Sequence, residues 1–99
     1  YEQKVEQFMG EKLRELGLIK TISREKTREY FPHATSHFLG LNVHDVGEYE
    51  RPLEEGMVLT VEPGIYIEKE GIGVRIEDNI LITKNGVKNL SGKLPNNLR

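Results

Sequence analysis

Ninety-nine residues set the scale of one compact domain, and a chain of that size buries only about two-thirds of the surface its unfolded form exposes, so its margin of stability is thin. With 36% hydrophobic residues, 30% charged residues, no cysteine and a net charge of −2, the composition excludes disulfide stapling and thiolate chemistry and argues against a nucleic-acid partner. No apolar run approaches the roughly 20 residues of a membrane span and no basic-then-apolar opening suggests a signal peptide, so the chain reads as cytoplasmic, with no membrane partner.

The chain opens at Tyr1, inside a helical pattern and without an initiator Met, which reads as an internal position of a longer protein. Val5, Phe8, Met9, Leu13 and Leu16 recur at helical spacing and form one apolar stripe. A helix is predicted over about residues 2–16, with Gly10 as a mild weakness inside it and Gly17 as its left-handed stop. Leu18 and Ile19 then fold back onto the stripe.

Ser23 can cap a short second helix running to Tyr30, whose many charges read as a solvated face. Pro32 closes it by holding Phe31 out of the helical region.

His33, His37 and His44 follow within 12 residues. Two imidazoles four residues apart would share a metal on a helix, but Pro32 and Gly40 bracket them and no apolar stripe continues, so a loop or irregular strand is expected. The plain alternative is three unrelated surface or capping histidines.

Met57 to Glu62 is β-rich and bounded by Gly56 and Pro63-Gly64, which marks a strand. Its period of two puts Val58, Thr60 and Glu62 on one face and Met57, Leu59 and Val61 on the other. Glu68-Lys69-Glu70-Gly71 has the length and glycine of a hairpin connection, pairing Ile67 with Ile72 and Ile65 with Val74. Continuing that register sets Glu62 opposite Glu77, with Cβ atoms about 4.5–5.5 Å apart, where like charges destabilise.

A protonated carboxyl group, a neighbouring cation such as Arg75, or a bound metal ion would each offset that repulsion. A bulge at Pro63-Gly64 would instead shift the register and separate the two carboxylates. Val74, Ile76, Ile80 and Ile82 are expected on the core face of one long strand interrupted by Asp78. Lys84-Asn85-Gly86 turns the chain, and Asn89-Leu90-Ser91 begins a short pairing segment with a loose tail.

Three ordered strings, His33-Ala34-Thr35-Ser36-His37 through His44-Asp45-Val46-Gly47, Val61-Glu62-Pro63-Gly64-Ile65-Tyr66, and Gly73-Val74-Arg75-Ile76-Glu77-Asp78, resemble the C-terminal half of the catalytic domain of aminopeptidase P and prolidase. These are "pita-bread" metallopeptidases, a group that includes methionine aminopeptidase. The resemblance spans about residues 1–94. It implies an α+β fold in which an antiparallel sheet packs against the N-terminal helix or helices, with residues 1–99 as one fragment of the catalytic domain.

By that resemblance His37 matches a histidine metal ligand, Glu62 a glutamate ligand that doubles as general base, and Glu77 the glutamate bridging two metal ions. His33 and His44 match histidines that line the substrate cleft and stabilise the reacting carbonyl, and Arg75 an arginine that supports the site. Tyr49 and Tyr66 read as packing residues. The implied whole protein is a dinuclear Xaa-Pro aminopeptidase acting on peptides with proline at the second position. Its two divalent ions would be manganese by preference, with cobalt, zinc or iron as alternatives.

The family's metal pair also needs two aspartates from an upstream hairpin, and this chain has only Asp45 and Asp78, neither in that context. The chain alone is therefore expected to be inactive and to hold at most one ion, weakly. It is also expected to lean on the missing N-terminal half of the catalytic domain, or to self-associate through the face that half would cover. Prolidase activity and a non-enzymatic pita-bread binding module are the alternative functions.

Overall fold

The computed structural model describes residues 1–42, 44, 45, 47 and 52–94. Helices α1 (Glu2–Glu15) and α2 (Arg24–Tyr30) precede strands β1 (Val58–Val61), β2 (Gly64–Ile67), β3 (Ile72–Arg75), β4 (Asp78–Thr83) and β5 (Gly86–Asn89). Every strand pairing among them is antiparallel, so the expected α+β class is the one that forms. No helix among the described residues is long and apolar enough to cross a membrane. The residues group into two units, Tyr1–Thr35 with Pro63–Ile76, and Ser36–Glu62 with Glu77–Arg99.

In the first unit, Met9 and Leu13 of α1 are buried together with Ile19 and Phe31. Phe8 and Leu16, expected on the same stripe, are exposed. Phe8 stands about 100° around the helix from Met9 and instead lies under the Lys12 ammonium, 5.2 Å from ring centroid to Nζ. Leu16 is already the C-cap, and Gly17 follows at φ +77°, ending the helix as predicted. Gly10 corrects its reading as a weak point: it is buried, and a Cβ there would lie 2.9 Å from both Ile22 Cγ2 and Thr27 Oγ1. Here the chain leading into and along α2 comes close against α1.

Ser23 caps α2 by accepting from the Lys26 amide at 3.2 Å, and Phe31 leaves the helix at φ −133°. The charges here are not all solvated. Arg28 donates to Glu6 of α1 at 3.2 Å and to the Pro32 carbonyl at 3.1 Å, tying both helices to the start of the histidine segment. Helix α2 lies against β2.

The β2–β3 hairpin has the expected register, Ile65 with Val74 and Ile67 with Ile72. Its connection is a single 3-10 turn at Glu68–Glu70 released by Gly71 at φ +62°. Val74 does not take its expected core place. Among the described residues β3 pairs only with β2, and Ile72 and Val74 are 53% and 46% exposed.

The second unit holds a three-stranded sheet in the order β1-β4-β5. The long strand expected from Val74 to Ile82 is divided, with Ile76 and Glu77 between β3 and β4. Lys84 and Asn85 make the predicted turn, but the pairing segment after it begins at Gly86 rather than Asn89. Leu90 and Ser91 prolong it through hydrogen bonds to Asn79. Tyr49 and the tail from Pro95 onward lie outside the described residues.

Candidate metal centre

Strand β1 has β4 on one edge and the histidine segment on the other. Phe38 forms an antiparallel bridge with Leu59, and the Leu39 amide donates to the Val58 carbonyl at 3.1 Å. The segment is thus the loop or irregular strand anticipated from Pro32 and Gly40, joined to β1 at this isolated bridge. That bridge sets His37 beside Thr60, which grips it twice: the Thr60 amide donates to the His37 carbonyl at 3.0 Å, and the Thr60 hydroxyl accepts from the His37 amide at 3.1 Å.

Glu62 lies two residues beyond Thr60 on the same face of the strand. On the other edge Val61 pairs with Asp78, so continuing that register puts Glu62 opposite Glu77. The bulge that would have separated them is absent, because the β1–β4 and β2–β3 ladders keep one common register and the Ile76 amide donates to the Pro63 carbonyl at 3.4 Å.

The outcome is a convergence of three side chains. One ligand atom each from His37, Glu62 and Glu77 can be chosen so that all lie within 4.8 Å of one another. His37 Nε2 is 3.2 Å from Glu62 Oε2, with both side chains largely buried. His37 Nδ1 lies 3.0 Å from the Phe38 carbonyl oxygen, which only accepts, so Nδ1 carries the proton of the neutral ring. Nε2 of the neutral ring turns a lone pair toward the carboxylate oxygen, and Nε2–H of the protonated ring would donate to it.

Glu77 is exposed, so water screens much of the repulsion between the two carboxylates, which leaves about 1 kcal/mol at this separation. A divalent cation would take the imidazole lone pair and the two carboxylates as ligands and offset the repulsion between them. One nitrogen and oxygen donors from two carboxylates form a hard, oxygen-rich set, and the Nδ1 hydrogen bond is the outer-shell contact that aims a ligating imidazole. These residues therefore fit a metal ion.

The remaining candidates fall in two places. The ring of His44, an exposed residue, is 4.5 Å from that of His37, centroid to centroid. His33 and Arg75 belong to the first unit. There His33 Nε2 lies 2.8 Å from the Tyr66 hydroxyl, and Arg75 ends β3, exposed, across from Gly64. Two participants were missed by sequence reasoning. Thr60 had a signal, a polar residue on the Glu62 face of an otherwise apolar strand. Tyr66 had none, since its contact with His33 spans 33 positions of chain.

Residues 2–84 match the family model described as Metallopeptidase family M24. The chain belongs to this family. It is 45% identical over 103 residues to Xaa-Pro aminopeptidase 3 of Rattus norvegicus, covering 89% of this chain and 20% of that protein. It is 61% identical over 67 residues to an Xaa-Pro dipeptidase of Pyrococcus horikoshii, covering 64% of this chain and 19% of the relative. The aminopeptidase PepP of Pseudomonas aeruginosa superposes with a TM-score of 0.86 at 37% identity, covering 98% of this chain and 26% of that one. The M24 chain thus spans about a quarter or less of the length of these proteins, and its fold is the corresponding part of a pita-bread catalytic domain.

Proposed function

We propose that this M24 chain is the C-terminal portion of a dinuclear, metal-dependent Xaa-Pro aminopeptidase, which hydrolyses the N-terminal peptide bond before proline. The observation that carries the reading is the convergence of His37, Glu62 and Glu77 on one point, in a chain 45% identical over most of its length to an Xaa-Pro aminopeptidase.

His37, Glu62 and Glu77 would hold the metal in the whole protein. When bound, divalent ions supply Lewis-acid charge for the scissile carbonyl and activate water. Manganese is favoured by the oxygen-rich donors, with cobalt, zinc or iron as alternatives. Glu62 serves as ligand and general base, taking the proton of the attacking water. By the family resemblance His33 and His44 orient the reacting carbonyl and Arg75 supports the site. With only Asp45 and Asp78 as aspartates, the 99 residues alone would hold at most one ion, weakly, and would not turn over peptide. The exposed Phe8, Leu16, Ile72 and Val74 are surfaces that the N-terminal half of the catalytic domain, or a second copy, would cover.

The P. horikoshii relative favours prolidase as the second reading, at higher identity over a shorter span. Retention of all three ligand types opposes a non-enzymatic binding module. The test is a manganese-loaded assay of the whole protein on Xaa-Pro peptides of graded length. Cleavage of tripeptides and longer substrates at the bond before proline is expected. Cleavage of dipeptides alone would establish prolidase instead, and no turnover of any Xaa-Pro substrate would overturn the peptidase reading.

A further inference from the structure

The imidazole of His33 is engaged at both nitrogens. Nδ1 lies 2.9 Å from the Ala34 carbonyl oxygen, an acceptor only, so the proton of the neutral ring sits on Nδ1. Nε2 is then a lone pair, and the Tyr66 hydroxyl at 2.8 Å donates to it. Edge-on ring contacts flank the imidazole, Phe31 at 5.0 Å and Tyr66 at 5.4 Å between centroids.

Tyr66 is itself seated. It pairs with Gly73 across the hairpin, and a Cβ on Gly73 would come within 2.7 Å of its Cδ1. A Cβ on Gly64 would come within 2.7 Å of its hydroxyl oxygen. The ring occupies space that two missing side chains leave open, which lets the hydroxyl reach His33 Nε2.

We propose that Tyr66 is a positioning residue: lying over Gly64 and Gly73, it fixes the ring angle of His33 and keeps the neutral imidazole in its Nδ1–H form. An imidazole held in one tautomer and one orientation presents a single geometry to whatever it contacts. The tautomer follows from the contacts just described, whereas the catalytic consequence rests on the peptidase reading of His33.

Nitrogen-15 NMR of the histidine side chains in the metal-free full chain tests the first part. A protonated Nδ1 and an unprotonated Nε2 are expected for His33, with Tyr66→Phe raising the Nε2–H population. A wild-type ring already in the Nε2–H form, or one unmoved by Tyr66→Phe, overturns the proposal; if the variant folds poorly, a wild-type Nε2 shift without the signature of an accepted hydrogen bond overturns it as well.

In the whole protein loaded with manganese, Tyr66→Phe is expected to lower kcat/KM by about 10-fold or more and to cost nothing further in a His33→Ala background. An equal loss in both backgrounds would show that Tyr66 does not act through His33. Absence of Xaa-Pro activity in the wild-type protein would sink the peptidase reading while leaving the NMR outcome to decide the positioning role.

Discussion

Val61 and Asp78 face each other across the β1–β4 ladder, and this pairing turns two distant glutamates into one candidate site. On the far side of Pro63 and Ile76 the hairpin pairs Gly64 with Arg75 in the same register, so Glu62 and Glu77 fall opposite. A slip of one residue on either strand would send one carboxylate to the other face.

The segment that carries His33 is held from α1. Both carboxylate oxygens of Glu2 lie 3.0 Å from the Thr35 amide nitrogen. Glu2→Ala leaves that part-buried N–H without this acceptor and also removes a negative charge from the first turn of the helix. A loss of about 1 to 3 kcal/mol is expected in urea denaturation, with Glu2→Gln recovering part of it through its amide oxygen.

Thr35 itself is buried, and its hydroxyl oxygen has no hydrogen-bond partner among the described residues. Thr35→Val has nearly the same shape and removes the unsatisfied group. It is expected to stabilise the chain by about 1 kcal/mol, read as a higher denaturation midpoint at unchanged slope. Metal uptake should not change, because Thr35 contributes no ligand.

Gly10→Ala pits two effects against each other. Helix propensity favours alanine by about 1 kcal/mol. The new Cβ, however, would press on Ile22 Cγ2 and Thr27 Oγ1 at 2.9 Å, both on stiff β-branched side chains, and overpacking of this kind costs about 1–3 kcal/mol. Thr27 is buried and has little room to retreat. A net destabilisation is expected in thermal melts; a stabilised variant would show that the two segments can separate at little cost.

Much of this was legible in the sequence, and the rest was hidden for identifiable reasons. The hairpin register could be read because Ile65, Ile67, Ile72 and Val74 alternate around a four-residue connection, which leaves few pairings. The opposition of Glu62 and Glu77 then followed by counting. Helix α1 announced its length through Met9, Leu13 and Gly17, yet periodicity could not say how wide its buried face is, and Phe8 lies outside it. Gly10 looked like a propensity defect because propensity is local, whereas the constraint comes from Ile22 and Thr27. Likewise the Thr60 grip on His37 and the Tyr66 contact with His33 join residues far apart in the chain, and no spacing rule encodes them.

If His37, Glu62 and Glu77 form a cation site, the chain takes up manganese through them. In a titration of the 99-residue chain followed by loss of the free manganese(II) EPR signal, we expect weak, saturable binding of one ion per chain. That uptake should disappear in both His37→Ala and Glu62→Gln while each variant stays folded by circular dichroism. Absence of saturable uptake, or uptake that survives both substitutions, would mean that these three residues do not form a cation site.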